Sequence, residues 1–311
     1  MGRAAALERP SAKRWAGKGA ATPPLMIDLN ILVAGLLTGA IYGLMALGLS
    51  VIFGVIRVVN FAHGEMMVAG MYVAIVLNAR WGVDPLLALP LVAALLFAVG
   101  YLLQRGLINR LIDRPHYNQF LVLLAISILF TSSTLMIFGP DARNAQIGYA
   151  FDSYELGGLL LDKVRVLAAA GALVGVAALW AFFALTRTGK AIRACADNQL
   201  GAQVVGLDVK RLYAVTFGLG AACVGAAGCL LLLFVDVQPY LASDYTLLAF
   251  IIVILGGLGS MPGALLGGML VGLSEALAGF FIDPSLKSMF SFGLLILVLL
   301  VRPQGLLGRA A

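Results

Sequence analysis

The sequence predicts an all-α integral membrane protein: a polytopic helical bundle with about eight or nine transmembrane segments, some of which can be discontinuous. Of the 311 residues, 61% are hydrophobic and only 12% are charged, and the mean hydropathy is +1.00. That charged share is about half that of an ordinary soluble domain. The apolar residues form continuous runs rather than the alternating pattern of a membrane barrel, so helices are the expected spanning elements.

The first 25 residues differ from the rest of the chain. They are polar and basic, include the pair Pro23 and Pro24, and lack the apolar stretch of a signal peptide. We expect a disordered tail here. Translation from Met26 is an equally good interpretation as translation from Met1. The membrane domain is predicted over residues 26–311.

Nine apolar runs follow the tail. Most are close to the roughly 20 residues that a helix needs to cross hydrocarbon, although the last three are shorter or interrupted by glycine. We expect each run to be helical. The runs cover residues 29–53, 60–78, 86–104, 119–138, 164–185, 212–234, 245–260, 262–281 and 288–301.

Lysine and arginine are unevenly distributed between the loops. Loops 105–118 and 186–211 and the end of the chain carry ten of them, whereas the loops on the opposite side carry five. Basic residues in short loops mark the cytoplasmic side, so these two loops and the C-terminus are predicted to be cytoplasmic. Three runs precede loop 105–118. Either the amino end therefore lies outside, or a segment around Asn60–Glu65 does not cross fully.

The decapeptide VVNFAHGEMM places Asn60, His63 and Glu65 in apolar sequence, where a central charge costs roughly 2.5 kcal/mol or more. Two interpretations remain open. In one, Asn60 is the N-cap of the next span, and His63 and Glu65 bind free amides. In the other, a broken helix lines a transport path and offers donors and acceptors to a zwitterionic solute.

Glu275 is the other ionisable residue predicted at membrane depth. Such a carboxylate should face the interior of the subunit and pair with another group. Arg57 is one partner by residue type. Structural pairing and contact with a solute both remain open for Glu275.

The glycines predict close helix packing and no nucleotide site. Gly35, Gly39 and Gly43 repeat every four residues, and seven of the 17 residues from Gly256 to Gly272 are glycine. Small residues at this spacing allow two membrane helices to approach closely. No Lys-Ser or Lys-Thr pair follows the second cluster, so it does not match a phosphate-binding loop.

For the chain as a whole, we also expect no catalytic residue, metal site, cofactor or nucleic-acid partner.

The apolar residues of loop 186–211 recur with the period of an α-helix. Its apolar positions recur every three or four residues, which predicts one amphipathic stripe. The helix either lies on the bilayer surface, in contact with lipid, or docks onto a soluble partner. The stripe comprises Ile192, Ala196, Leu200, Val204 and Leu207.

Four segments together resemble the membrane permease subunits of ATP-binding-cassette importers for branched-chain amino acids, and in particular the shorter of the two permease types. The resemblance covers residues from about 27 to 309, and only the N-terminal extension departs from it. The segments are GLSVIFGVIRVVNFAHGEMMVAGMYVA, RTGKAIRACADNQLGAQVVGLDVKRLYAVTFGLGAACVGAAG, GGLGSMPGALLGGMLVGLSEAL and LLILVLLVRPQGLLGR.

The resemblance implies a division of labour in a bacterial inner membrane. A second permease subunit would complete the path, two cytoplasmic ATPases would use the ATP, and a periplasmic binding protein would deliver the solute. Urea, short amides or small carboxylates are alternative solutes for the same architecture. An ion-driven secondary transporter is the less favoured alternative, because Glu65 and Glu275 are the only acids predicted at membrane depth.

The resemblance also implies which residues couple the chain to the ATPase. Small residues in loop 186–211 would let a helix fit into a cleft on the ATPase, and Arg193 would anchor it. The matching positions are Gly189, Arg193, Ala194, Asn198, Ala202 and Gly206.

Overall fold

The structure, a computed structural model, describes residues 24–308 except 113 and 157–158. The predicted tail therefore lies outside the described residues, apart from Pro24 and Leu25, which belong to the first helix. The α-helices are α1 (Pro24–Ile56), α2 (His63–Trp81), α3 (Pro85–Gly106), α4 (His116–Phe138), α5 (Lys163–Leu185), α6 (Arg187–Asp197), α7 (Gln199–Val204), α8 (Val209–Leu231), α9 (Leu241–Gly256), α10 (Met261–Phe281) and α11 (Lys287–Val301). A hairpin of β1 (Ser153–Leu156) and β2 (Leu159–Asp162) precedes α5, and 3-10 turns lie at Ile108–Arg110 and Pro284–Leu286.

The predicted fold class is confirmed. Each of the nine apolar runs overlaps one helix: α1 to α5 and α8 to α11. Within the described part of the chain, seven helices are long and apolar enough to cross a membrane, and α9 is a shorter apolar helix. The remaining run, α2, is a helix of 19 residues that carries Glu65 in its first turn.

Helices α1 and α8 form the centre of the bundle. In each, 83% of an apolar stretch of 18 residues is buried, against 6% of the corresponding stretch in α4 and α11. The surfaces of α4 and α11 are therefore free for lipid or a partner.

The glycines permit the close packing of α1 against α10. A Cβ atom at Gly39 would lie 2.6 Å from the Cα of Met269, and one at Gly272 would lie 2.6 Å from the carbonyl oxygen of Gly35.

The bundle has two distinct ends, which we name by their surroundings. At the hairpin end, the Leu160 amide donates to Asn30 Oδ1 near the start of α1 (3.1 Å). At the basic end, Asn109, in the loop after α3, donates to the carbonyl oxygen of Lys210 at the start of α8 (3.1 Å). Helix α1 thus begins at the end of the bundle opposite to loop 105–118. The sequence alternative in which the amino end lies outside requires this arrangement.

The chain between α1 and α2 returns into the bundle. Residues 57–60 have no regular secondary structure and Phe61 and Ala62 form a turn, after which a ring nitrogen of His63, the first residue of α2, lies 3.0 Å from the carbonyl oxygen of Met45. Met45 lies 11 residues before the end of α1, or roughly 16 Å along its axis. Helix α2 therefore starts at mid-depth and ends at the hairpin end, so the second alternative, a break near Asn60–Glu65, also holds in part.

Helix α1 ends at a strained residue. Arg57 has a φ of 59°, and its amide donates to the carbonyl oxygen of Phe53 (3.0 Å), which closes the last turn. A side chain in this left-handed conformation costs roughly 1 kcal/mol, whereas glycine adopts it freely.

We therefore expect Arg57→Gly to be more stable than Arg57→Ala by about 1 kcal/mol. Both variants remove the guanidinium group, so the difference isolates the backbone conformation. Thermal unfolding of the purified variants in one detergent measures it. An alanine variant as stable as the glycine variant would contradict the left-handed cap.

Candidate functional site

Two side chains fix the start of α2 at the middle of the bundle. Both Asn60 and His63 have 0% exposure. Asn60 Oδ1 accepts a hydrogen bond from the amide of Ala62 (3.1 Å), and His63 Nε2 is bonded to the carbonyl oxygen of Met45 (3.0 Å). The N-cap is Ala62, so the prediction of Asn60 as N-cap is wrong by two positions. Asn60 instead closes the Asx turn that leads into the helix.

Glu65 and the neighbouring Gly64 join α2 to α4 and α9 at the same depth. The Glu65 side chain accepts a hydrogen bond from Ser127 Oγ on α4, and the neighbouring amide of Gly64 donates to Thr246 Oγ1 on α9 (2.9 Å). Glu65 is 4% exposed, and its Oε2 atom has no hydrogen-bond partner within the described residues. Asn60, His63 and Glu65 are thus brought together inside one subunit rather than on its surface.

Glu275 belongs to a separate polar group between α1, α10 and α11. Tyr42 Oη donates to its Oε2 (3.1 Å), and Ser291 Oγ donates to its Oε1 (3.0 Å). Arg57, one partner conceivable by residue type, does not pair with Glu275, because Arg57 lies 15 residues beyond Tyr42, about 22 Å along α1. Two hydroxyl groups therefore provide the hydrogen bonds that this carboxyl group accepts.

Glu275 itself is half-buried, whereas its neighbours Tyr42, Tyr245 and Ser291 are buried. The ring of Tyr245, from the first turns of α9, meets the Tyr42 ring edge-on, with centroids 6.2 Å apart. Lys287, whose stem packs beside Gly279, adds a positive charge on the hairpin side. The partly exposed carboxyl group thus lies beside two buried tyrosines within the spanning part of the bundle.

Neither the tyrosines nor the serines of these groups were identified from the sequence. Tyr42, Tyr245, Ser127 and Ser291 are neutral and common in membrane helices, so residue type gives no signal. Tyr42 and its acceptor Glu275 are 233 residues apart in the sequence, and Ser127 and its acceptor Glu65 are 62 residues apart. Only the helix packing makes them partners.

At the basic end, α6 and α7 are short helices with side-chain caps. Thr186 Oγ1 accepts from the Gly189 amide (2.9 Å), and Asn198 Oδ1 accepts from the Gly201 amide (2.8 Å). Asp208 then caps α8 by accepting from the Arg211 amide (3.0 Å). Each cap satisfies an amide that a helix start leaves free, so the segment is divided into three helices at fixed positions.

The six predicted coupling residues do not share one surface. Arg193 and Ala194 are exposed on α6, whereas Gly189 and Ala202 are buried. A Cβ atom at Gly189 would lie 2.6 Å from the Cα of Phe183, so this glycine lets α6 fold back onto α5. Two further predicted coupling residues have local backbone roles. Asn198 caps α7, and Gly206 adopts a left-handed conformation with a φ of 83°.

The predicted apolar stripe along loop 186–211 is wrong as a single face. Ile192 is buried, but Leu200 and Val204 are 73% and 80% exposed. The chain is extended at Asn198, which rotates α7 away from the register of α6. Leu200, Val204 and Val205 instead form an exposed apolar surface at the basic end, which we call the α7 patch.

The chain matches a family model described as the permease component of branched-chain amino acid transport systems over residues 31–299. It is 32% identical to the high-affinity branched-chain amino acid transport system permease protein BraD of Pseudomonas aeruginosa, over 92% of this chain and 98% of that protein. It is 34% identical to the corresponding permease protein LivH of Escherichia coli, over 88% and 94% of the two chains. Identity to the permease protein LivM of Escherichia coli is 27%, over 91% of this chain and 71% of LivM. No solved structure matches the chain.

Proposed function

Because this chain belongs to the family of permease components of branched-chain amino acid transport systems, we propose that it forms part of the membrane path of an importer for branched-chain or related amino acids. The family match over residues 31–299 reaches all nine helices that overlap the apolar runs, α1 to α5 and α8 to α11, and this observation supports the proposal most directly. The chain is a multi-pass membrane protein and a transport subunit. In the proposal it has no ATPase site of its own.

The proposed assembly contains a second permease subunit, two cytoplasmic ATPases and a periplasmic binding protein. Relatives of this chain include both LivH and LivM of one organism, which supports a pair of related but different permeases. The distribution of arginine and lysine supports a basic end in the cytoplasm and a hairpin end in the periplasm of a bacterial inner membrane.

In this proposal, Glu275 contacts the solute, and the buried Tyr42 orients its carboxyl group through the hydrogen bond between them. Glu275 is half-buried, and a carboxylate can accept hydrogen bonds from the ammonium group of an amino acid. Asn60, His63 and Glu65 act differently, because they are at most 4% exposed. They hold the break between α1 and α2 in position and so shape the wall of the path.

The basic end is the proposed contact with the ATPase. Arg193 and Ala194 are exposed, and the α7 patch presents three apolar side chains to the same end of the bundle. An exposed apolar surface of this kind marks a contact with a protein or a membrane. Gly189 and Ala202, which are buried, allow α6 and α7 to pack on the membrane helices, so that a movement of the ATPase is passed to α5 and α8.

We expect Arg193→Glu to weaken the complex with the co-expressed ATPase several-fold, because the charge reversal opposes any acidic partner of Arg193. Co-purification and ATP-dependent uptake measure the effect. Arg114→Glu is the matched control, since Arg114 is exposed at the same end but in another loop. Equal complex formation by both variants would exclude Arg193 from the contact.

The proposed function is tested with proteoliposomes. The complete system, with ATP inside and binding protein outside, should accumulate leucine against a gradient, whereas vesicles with this chain alone should not. Accumulation by the chain alone in a sodium or proton gradient would instead support a secondary transporter. Competition of leucine uptake by urea, acetamide or a small carboxylate separates the alternative solutes.

A further inference from the structure

A polar pocket of about 370 Å³ lies at the basic end, between the last turns of α3 and the first turn of α8. Its base is held by side-chain hydrogen bonds: Gln104 Nε2 donates to Asn109 Oδ1 (3.0 Å), and Asn109 Nδ2 donates to the Lys210 carbonyl oxygen (3.1 Å). The pocket shares no residue with the Glu275 group or with the α7 patch. Its lining residues are Tyr101, Arg105, Asn109, Asp208, Lys210 and Arg211.

The pocket concentrates positive charge. Arg105, Lys210 and Arg211 are exposed, and among residues 24–112, 114–156 and 159–308 none of the three has an ion-pair partner. The one carboxylate present, Asp208, caps α8 through its Oδ1 atom. Lys210 and Arg211 also occupy the first turn of α8, where the helix dipole disfavours cations. Helix stability therefore does not explain these charges, whereas an anion bound here would be favoured by both the cations and the dipole.

Two stripes on the membrane surface lead into the pocket. On α3, exposed residues and the half-buried Tyr101 follow the flank beside α8 down to Arg105, and on α8 half-buried residues follow the facing flank down to Arg211. These spacings of three or four residues keep each stripe on one face. The α3 stripe is Pro90, Ala94, Ala98, Tyr101 and Arg105, and the α8 stripe is Arg211, Val215, Leu219 and Ala222.

We propose that this pocket binds the phosphate of an anionic phospholipid whose acyl chains lie along the groove between α3 and α8. The apolar stripes and the pocket are continuous, which a phospholipid matches and a soluble anion does not. Basic pockets between membrane helices at the cytoplasmic side are a known setting for anionic headgroups. Tyr101, half-buried one turn before Arg105, lies at the level where aromatic side chains meet the headgroups.

A lipid bound here would join two parts of the chain that move differently in the proposed transport cycle. The pocket includes Asp208, the N-cap of α8, Lys210 in the first turn of α8, and Arg105, which belongs to α3. The headgroup would therefore fix the junction between α7 and α8 against α3.

The test is native mass spectrometry of the purified full-length chain with titrated phosphatidylglycerol or phosphatidylcholine. The pocket variant is R105Q/K210Q/R211Q. The control R110Q/R114Q/R187Q removes three exposed cations from the same end, none of which lines the pocket. At about 1 kcal/mol per cation, the apparent Kd for phosphatidylglycerol should rise at least tenfold in the pocket variant and less than twofold in the control. Phosphatidylcholine should bind weakly to all three proteins.

Three results would overturn the proposal, provided that all variants elute as single species in size-exclusion chromatography. Equal loss of phosphatidylglycerol binding in both variants would mean attraction by net charge alone. Displacement of the lipid by inorganic phosphate at equal concentration would indicate a site for a soluble anion. Loss of ATPase binding in lipid-free detergent, in the pocket variant only, would make the pocket a protein contact.

Discussion

Gly272→Leu is expected to leave little folded protein after extraction into a mild detergent. A Cβ atom at Gly272 would lie 2.5 Å from the Cα of Gly39 and 2.6 Å from the carbonyl oxygen of Gly35. Both atoms belong to the backbone of α1, so no side chain can rotate away. The two helices would have to separate, and we expect a loss of about 3 kcal/mol, the upper end of the usual penalty for overpacking.

The measurement is the monodisperse fraction in fluorescence-detected size-exclusion chromatography, together with the thermal unfolding midpoint. Gly293→Leu is the matched control, because Gly293 lies in α11 and a Cβ atom there would have no neighbour within 4 Å. Leucine also has the higher helix propensity, so the control should be neutral or slightly stabilising. If Gly272→Leu behaved like Gly293→Leu, α1 and α10 could not approach as closely as described.

Glu275→Gln is expected to reduce uptake of a zwitterionic amino acid about 10- to 100-fold, mainly through KM. Glutamine preserves the size of the side chain and can still accept a hydrogen bond from Tyr42 or Ser291. The charge that would bind the ammonium group of the solute is lost. A hydrogen bond to a charged group contributes about 1.5–3 kcal/mol, which corresponds to this range.

Two controls separate solute contact from structure. Tyr42→Phe removes one hydrogen bond to Glu275 but keeps the carboxylate, so it should affect KM less than Glu275→Gln. Glu155→Gln removes an acid from β1 at the hairpin end and should leave uptake unchanged. Normal KM with a lower unfolding temperature in Glu275→Gln would show that the carboxyl group only stabilises the bundle.

The sequence predicted the fold because membrane insertion depends on a local property. A run of roughly 20 apolar residues specifies a helix wherever it occurs, since the backbone in hydrocarbon must satisfy its own hydrogen bonds. The nine runs and the glycine stripe of α1 could therefore be found without any knowledge of neighbours. The family resemblance, too, depended on linear segments.

The site could be predicted only in part, because residue type does not determine the partner. Glu275 and Glu65 were identifiable as acids at membrane depth, but their donors, Tyr42, Ser291 and Ser127, are neutral residues of other helices. For the predicted coupling residues, too, residue type did not determine the contact partner. Small size at Gly189 and Ala202 fits a contact with another protein or with the chain itself, and the structure buries both within the subunit.

The sequence alone thus determined the membrane class, the helical runs, the asymmetry of charge and the family. The tertiary structure decided the depth at which α2 begins, which hydroxyl groups bind the two acids, and which residues of α6 and α7 are exposed. It also brought Arg105 of α3 beside Lys210 and Arg211 of α8. The physical reason is one of range: hydrophobicity acts over one helix, whereas hydrogen bonds and pockets depend on which faces of distant helices meet.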